Sequence, residues 1–147
     1  MTTLLPEIIE VDTAHEEYRQ AINKLLPELT STPHPMSAEE WKTFASDPSH
    51  RLFLLRIGLH YAGMLTLGYY TAPTGRKCMI EDVVVSQTYR GNGLGRMLLR
   101  HAIAEVSQQA PISLMLTSRP SRIAANALYR SEGFAQKETN VYVMKFE

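Results

Sequence analysis

Six consecutive residues in the second half of the chain have the composition of an anion-binding turn: Arg90-Gly91-Asn92-Gly93-Leu94-Gly95. They lie between an apolar run typical of a strand and a segment with helical spacing of apolar residues. The first N–H groups of a helix have no partner within it, and the helix dipole adds partial positive charge there. Glycines let the backbone approach a bulky diphosphate and adopt positive φ angles. The segment therefore predicts a phosphate-binding loop, with Arg90 and Arg96 able to add charge at its rim.

Two other glycine motifs do not fit these residues. A dinucleotide-binding turn needs a third glycine and an acidic residue about 20 positions later, and neither stands at the required place. A P-loop needs Gly-Lys-Ser/Thr, which is absent after Gly95. The simpler alternative to a phosphate site is a strand-to-helix turn built from small residues.

The elements that must hold this loop follow from apolar spacing and turn residues. Residues 79–85 predict a strand that ends in a β-branched run suited to burial on both faces. Residues 93–108 predict a helix and residues 111–117 a strand, so this part should be a parallel strand–helix–strand crossover. The other predicted elements are a strand at 8–11, a helix capped by Asp12 or Thr13, a helix opened by a Ser37–Glu40 capping box, strands at 52–57 and 62–70, a helix capped by Ser118 with Pro120 in its first turn, and a terminal strand at 141–146.

Composition narrows the classes of protein that this chain could be. Its 147 residues favour one mixed α/β domain over residues 1–147. Lysine plus arginine and aspartate plus glutamate each number 15, so broad electrostatic capture of nucleic acid is not expected. No apolar stretch approaches a membrane span, and residues 1–10 do not have the pattern of a signal peptide. A single cysteine, Cys78, cannot form an internal disulfide, and together these features favour a cytoplasmic protein.

Two segments together carry a family resemblance. Ile80-Glu81-Asp82-Val83-Val84-Val85, followed by the glycine loop, resembles motif A of the GNAT superfamily of N-acetyltransferases, whose fingerprint of Arg/Gln-x-x-Gly-x-Gly/Ala is met by Arg90, Gly93 and Gly95. Asn126-Ala127-Leu128-Tyr129, followed by Glu132-Gly133-Phe134, resembles motif B. The motifs cover about residues 78–134, and the order of predicted elements extends the resemblance over the whole chain. The strand Ile80-Glu81-Asp82 is also similar to that of glucosamine-6-phosphate N-acetyltransferases, which we take as a local likeness.

The resemblance implies a fold, a cofactor and a set of binding residues. The fold would be the acyl-CoA N-acyltransferase fold, with a mostly antiparallel sheet, a central parallel β-α-β unit and helices on both faces. The cofactor would be acetyl-CoA, with its pyrophosphate on the amides of residues 90–96 and its pantetheine paired with the strand before them, where one N–H polarises the thioester carbonyl. Asn126 would contact pantetheine or fix the neighbouring helix, and Tyr129 would lie near the thioester sulfur. The residues so assigned are Val83, Val84, Val85, Arg90, Gly91, Asn92, Gly93, Leu94, Gly95, Arg96, Asn126 and Tyr129.

Glu81 and Asp82 are the candidate general bases for such a transfer. A primary amine has a pKa of roughly 10 in water, so a carboxylate that removes its proton assists attack. The two carboxylates are adjacent on a predicted strand and should point to opposite faces, with Glu81 on the face of Val83 and Val85. We favour Glu81 as the base, acting directly or through water. A structural carboxylate at a strand end is the alternative.

Tyr129 is the candidate proton donor to the departing thiolate. In a helix it lies three residues from Asn126, away from the smaller and apolar side chains that should pack against the sheet. A phenol of pKa near 10 can protonate a thiolate, whereas the alternative is a packing tyrosine. The side chains predicted to pack are those of Ile123, Ala124, Ala127, Leu128 and Ser131.

Three functions remain open from the sequence. The first is acetylation of a small primary amine by direct attack in a ternary complex. The second is a close variant, the acetylation of a peptide or protein. The third is a regulatory module that binds acetyl-CoA without turnover. The five histidines do not have metal-ligand spacing, and Cys78 has no neighbouring histidine to activate it, so neither a metal nor a covalent intermediate is expected. The terminal strand could add to a neighbour's sheet, which makes a homodimer one expected arrangement.

Overall fold

The computed structural model describes residues 4–147, which divide into two compact units, residues 4–116 and residues 117–147. The first unit contains a five-stranded sheet with three α-helices, and the second contains one α-helix. None of the helices among residues 4–147 is long and apolar enough to cross a lipid bilayer. The prediction of a single domain over residues 1–147 stays a prediction.

The sheet is mixed and follows the order of the chain. Each of the first four strands is antiparallel to its neighbour, and the last strand is parallel to the one before it. This arrangement confirms the predicted mixed α/β class, the mostly antiparallel sheet and the parallel strand–helix–strand crossover. The strands are β1 (Pro6–Glu10), β2 (His50–Ile57), β3 (His60–Ala72), β4 (Gly75–Val85) and β5 (Ser113–Met115), in that order across the sheet.

The described residues form four α-helices and two short 3-10 turns, the turns spanning Leu26–Glu28 and Gln87–Tyr89. Pro27 lies in the first of these turns and prevents the preceding helix from continuing, because it has no N–H to donate. The helices are α1 (Glu16–Leu25), α2 (Ala38–Ser46), α3 (Leu94–Ser107) and α4 (Ile123–Ser131).

The capping box that opens α2 is confirmed in both of its hydrogen bonds. The Glu40 N–H donates to Ser37 Oγ at 3.1 Å, and the Ser37 N–H donates to Glu40 Oε1 at 3.0 Å. Trp41, in the next position, is buried, and its indole N–H donates to the His15 carbonyl at 3.1 Å. The cap therefore places a large core residue at a defined point and ties α2 to the start of α1.

Two predicted helix starts are wrong. α1 begins after His15, which makes no side-chain cap, so neither Asp12 nor Thr13 caps it. Glu16 and Glu17 instead stand in its first turn, where their charge suits the helix dipole. Ser118 and Pro120 precede α4, whose N-cap is Arg122, because a turn from Arg119 to Arg122 delays the helix.

Helices cover both faces of the sheet in the first unit, as predicted. On one face, Leu52 and Leu54 of β2 and Met64 of β3 pack with α1 and α2 in one buried cluster. On the other face, Phe53 lies edge-on to His101 of α3, with ring centroids 4.7 Å apart. Side chains alternate between faces along a strand, so consecutive β2 residues supply both layers.

The terminal strand predicted at residues 141–146 is wrong. Residues 135–147 form neither helix nor strand, and the sheet of the described chain ends at β5. The apolar, β-branched composition of the segment favours a strand, but a strand forms only where another strand supplies its hydrogen bonds.

Candidate functional site

The start of α3 presents main-chain amides and has no side-chain cap. Gly93 is the N-cap and makes no side-chain cap, and the first helical bond runs from the Met97 N–H to the Gly93 carbonyl at 3.1 Å. The amides of Leu94 and Gly95 therefore precede the first helical bond and have no partner within the helix. Together with the helix dipole, these donors make the start of α3 suited to an anion.

Two glycines give the loop its shape. Gly91 has φ 84° and Gly93 has φ 74°, in the left-handed region that L side chains rarely adopt. A Cβ built on either residue would meet no atom within 4 Å among the described residues. The glycines are thus required by backbone conformation, and the space beside them is open to a ligand.

Arg90 and Asn92 hold the loop through their side chains. Arg90 Nε donates to the Val85 carbonyl at 3.0 Å, and its Nη2 lies 3.7 Å from the Glu28 carboxylate. Asn92 Nδ2 donates to the Tyr89 carbonyl at 3.0 Å. Arg90 is therefore held by the protein itself and shapes the loop, and its predicted role as a charge at the rim stays a prediction.

Glu28 is a supporting residue that the sequence does not reveal. It lies in the 3-10 turn after α1, and its carboxylate accepts the Gln87 N–H at 2.7 Å besides facing Arg90. Charge-assisted bonds of this kind connect the α1 side of the molecule to the end of β4. No local pattern marks Glu28, because both partners are about 60 residues away in the chain.

β4 has one paired edge and one open edge. It pairs with β3 over most of its length, but with β5 only at Lys77, Cys78 and Met79. Beyond Met79, no strand within residues 4–116 pairs with this edge of β4, so residues 80–85 have main-chain groups available to bond an extended ligand. The open edge leads directly to the glycine loop.

Val85 directs its N–H toward that open edge. The Ser86 N–H donates to the Ala62 carbonyl at 2.7 Å, and Val85 is paired with Gly63. Since bonded and non-bonded pairs alternate along an antiparallel ladder, the Val85 pair is a non-bonded one. The Val85 carbonyl accepts a hydrogen bond from Arg90 Nε. The Val85 N–H is therefore the main-chain group of this residue that faces the gap between β4 and β5.

A β-bulge changes which residues share a face of β4. Glu81 pairs with Thr66 and Val84 pairs with Met64, so Asp82 and Val83 together stand opposite one β3 residue. Asp82 has φ 51°, a left-handed conformation that aspartate tolerates. Glu81 therefore shares its face with Val84, on the side of α1 and α2, and the predicted grouping with Val83 and Val85 is wrong. Strict alternation fails because a bulge adds one residue to the count.

Glu81 has the carboxylate of Asp82 beside it on this strand. Burial raises the pKa of Glu81 above its ordinary 4.5, and the charge of Asp82 raises it further. Both residues are exposed, and within residues 4–116 neither carboxylate has a hydrogen-bonded or ionic partner. A carboxylate with a raised pKa and no bound partner is a suitable proton acceptor.

In the second unit, α4 turns Asn126 and Tyr129 to its less exposed side. Asn126 Nδ2 donates to the Arg119 carbonyl at 2.9 Å, which secures the segment before the helix. The Tyr129 ring lies edge-on to Phe134, with centroids 6.2 Å apart. Ile123 is 76% exposed, and the predicted packing of this helix against the sheet stays a prediction. The side chains of Ala124 and Ala127 are likewise exposed.

Of the predicted site residues, those of the first unit come together. Glu81 to Val85, the glycine loop and the start of α3 follow one another along the chain from the end of β4 to the first turn of α3. Burial raises the pKa of the Cys78 thiol, and this residue is fully buried, so it is unsuited to nucleophilic attack. Among residues 4–147, no cluster of three His, Cys, Asp or Glu residues could hold a metal ion.

A family model and three known proteins resemble this chain. The model described as the Acetyltransferase (GNAT) family matches residues 14–134. The [ribosomal protein bS18]-alanine N-acetyltransferase of Escherichia coli strain K12 is 36% identical over 93 residues, which are 63% of this chain and 62% of that protein. The chain thus matches less than two thirds of the length of this relative.

Two solved structures show the same fold at low sequence identity. An aminoglycoside acetyltransferase from an uncultured soil metagenomic sample, in complex with trehalose, has a TM-score of 0.83 at 13% identity, with 97% of each chain covered. A predicted acetyltransferase from Clostridium acetobutylicum, solved with acetyl-CoA, has a TM-score of 0.73 at 14% identity, with 95% of this chain and 96% of that chain covered.

Proposed function

The chain belongs to the Acetyltransferase (GNAT) family, and on that premise we propose that it transfers an acetyl group from acetyl-CoA to the free amino end of a peptide. The observation that carries the proposal is the uncapped start of α3 beside the open edge of β4. The predicted family and fold are confirmed, and so, at the level of the family, is an acetyltransferase with acetyl-CoA as its cofactor.

The residues present fit the chemistry of coenzyme A. The amides of the glycine loop and of the first turn of α3 would hold its pyrophosphate, since the N-cap Gly93 makes no side-chain cap and the space beside Gly91 and Gly93 is open. Val83, Val84 and Val85 would pair with the amide groups of pantetheine in the manner of an added strand. When bound, acetyl-CoA supplies the activated acyl group.

The Val85 N–H is our proposed donor to the carbonyl oxygen of the acyl group. It faces the open edge, and its strand is held on the other side by β3. A donor fixed before the reaction stabilises negative charge on oxygen without further reorganisation, which is a large contribution in acyl transfer.

Glu81 is our proposed base and Tyr129 our proposed acid. Glu81 would take a proton from the attacking amine, directly or through water, and its raised pKa brings it nearer to the working pH. Tyr129 would donate a proton to the leaving thiolate, a role that rests on the motif around Asn126 and Tyr129. Direct attack within a ternary complex agrees with the absence of a reactive thiol at Cys78.

The acceptor is the part of the proposal that goes furthest beyond family membership. The relative that shares 36% identity is named for an alanine of a ribosomal protein, whereas the sequence alone favours a small amine. The exposed carboxylates of Glu81 and Asp82 would attract the ammonium group of either acceptor. We adopt the peptide amine on the strength of that relative, and the cytoplasm, where ribosomal proteins work, as the place of reaction.

A comparison of acceptors tests this function. Release of free CoA is measured with a peptide that begins with a free alanine, with the same peptide acetylated at its N-terminus, and with an amino sugar and a polyamine. We expect release of CoA with the free peptide, little release with the peptide acetylated at its N-terminus and none without an amine. Release with small amines alone would overturn the peptide acceptor and leave the acetyltransferase intact. Binding of acetyl-CoA without release for any amine would overturn catalysis.

A further inference from the structure

The interior of β3 contains two glycines, and close packing requires only one of them. Glycine within a strand usually marks a bulge, a tight bend or the close approach of another group. At Gly63, a Cβ atom would come 2.6 Å from the carbonyl oxygen of Val84, so a larger residue does not fit. At Gly68, the nearest atom within residues 4–116 would be the Met79 carbonyl oxygen at 3.9 Å, an ordinary contact distance. A side chain would therefore fit at Gly68.

The backbone does not require glycine at position 68 either. Gly68 does not have a positive φ angle, and it pairs with His50 of β2 and Met79 of β4. The shifts of register in these two ladders lie elsewhere, at residues 55–56 of β2 and residues 64–66 of β3. Since no bulge, bend or close approach explains this glycine, what it provides is open space above the sheet.

This open space lies on the face of the sheet that carries Glu81. Thr66 pairs with Glu81. Gly68 and Met79 form a pair two residues further along and point to the same face, because side chains alternate along each strand. Leu52, which packs with α1 and α2, also pairs with Thr66. Gly68 is thus a diagonal neighbour of Glu81 on the α1–α2 side, and such neighbours lie about 7–8 Å apart.

A fixed ring borders the space on the side of β2. His50, the β2 partner of Gly68, stacks on Phe44 of α2 with ring centroids 3.9 Å apart. Its Nε2 donates to the Phe44 carbonyl at 2.6 Å, and its Nδ1 lies 3.8 Å from a carboxylate oxygen of Asp47. These contacts hold the imidazole at the border of the space, and none of its atoms would lie within 4 Å of a Cβ on Gly68.

We propose that the space above Gly68 takes the side chain of the acceptor's first residue and admits only a small one. This inference rests on the proposed function, because it concerns the peptide whose amine Glu81 would deprotonate. An amine that bonds the Glu81 carboxylate lies about 3 Å from it. The Cβ of the same residue is about 2.5 Å from the amine nitrogen, as covalent geometry requires. The diagonal separation of Glu81 and Gly68 is short enough for that side chain to reach the space.

The size of the space sets the expected preference. Its floor is the backbone of β3 at Gly68, and His50 and Met79 stand on the two neighbouring strands. One missing side chain between two present ones leaves room for a methyl group but not for an aromatic ring. We expect kcat/KM for a peptide that begins with alanine to be at least about tenfold higher than for one that begins with phenylalanine.

Gly68→Ala tests this subsite, because it places a methyl group where the methyl group of the acceptor would lie. The value of kcat/KM is measured for otherwise identical peptides that begin with glycine, alanine or phenylalanine. We expect Gly68→Ala to lower the ratio of the alanine value to the glycine value at least about fivefold, and Gly68→Val to lower it further. The glycine peptide is the matched control within each variant, since it has no side chain to exclude.

The folding of the variants is checked separately from their selectivity. Because Gly68 has an ordinary φ angle and room for a Cβ, both the melting temperature and the dissociation constant for CoA should stay close to those of the unchanged protein. A ratio that is the same in both variants as in the unchanged protein would overturn the subsite, even if both peptides react more slowly. Failure of the unchanged protein to acetylate any peptide would instead overturn the proposed function, and the subsite with it.

Discussion

The two family motifs lie in two regions of the chain, residues 80–96 and residues 118–134. The two regions offer different kinds of chemical group. The first region works mainly through its backbone: the amides before Met97, the N–H of Val85 and two glycines with positive φ. The second region offers side chains, the Asn126 amide and the Tyr129 phenol. Backbone groups are present whatever the residue type, so the first region depends on conformation and the second on side-chain chemistry.

This contrast separates binding from turnover in the proposed enzyme. Substitutions that change the shape or charge of the glycine loop should act on the affinity for CoA. Substitutions that remove a side-chain function from α4 should act on the rate after binding. The effect on rate should be most clearly separate from the effect on CoA affinity where a substitution removes one atom and leaves the shape of the side chain unchanged.

Tyr129→Phe should have the largest effect. It removes only the phenolic oxygen, and we expect kcat to fall by about 100-fold, the scale of a lost general acid. The dissociation constant for CoA, measured by calorimetry, should stay within about twofold. Equal turnover in the variant would remove Tyr129 from the mechanism, and loss of CoA binding would place it with the binding residues instead.

Gly93→Asp should have the next largest effect, this time on binding. Asparagine and aspartate have nearly the same shape and both tolerate the left-handed conformation of Gly93, so Gly93→Asn is the matched control. A carboxylate at the start of α3 would repel a diphosphate, and we expect CoA affinity to fall at least about tenfold relative to the asparagine variant, or about 1.4 kcal/mol. If the two variants bound CoA equally, the start of α3 would not be the diphosphate site.

Asp82→Asn should have the smallest effect, seen only in the pH profile. The charge of Asp82 is the lesser of the two causes that raise the pKa of Glu81, after burial. A base works when it is deprotonated, so kcat/KM should fall as the pH falls through the pKa of Glu81. Removal of the neighbouring charge lowers that pKa, and the acidic limb of the profile should move to lower pH.

Glu81→Gln provides the control for this profile. If Glu81 is the base, the pH profile of kcat/KM for the residual activity of this variant should have no acidic limb. If the acidic limb of the pH profile persists in Glu81→Gln, or does not move in Asp82→Asn, the base is a residue other than Glu81.

Local patterns in the sequence predicted the framework of the molecule well. The capping box of Ser37 and Glu40 and the helix after Gly93 both depend on residues within about four positions of one another. The same local signals misplaced the starts of α1 and α4. Several residues near each start could act as a cap, and tertiary packing selects among them.

The detail of the site could not be predicted in the same way. The face of Glu81 depends on a bulge set by the register with β3, and strict alternation along one strand cannot show it. The ionic partner of Arg90 is Glu28, which lies far away in the chain, so no local pattern reveals this contact.

The sequence by itself determined the strand, the glycine loop and the helix that follow residue 79, because turn conformation and helix initiation are local properties of the backbone. Only the tertiary structure decided how far β5 accompanies β4 and which face of β4 Glu81 occupies. Each of these depends on hydrogen bonds between segments far apart in the chain, whose register is set by the packing of the whole sheet.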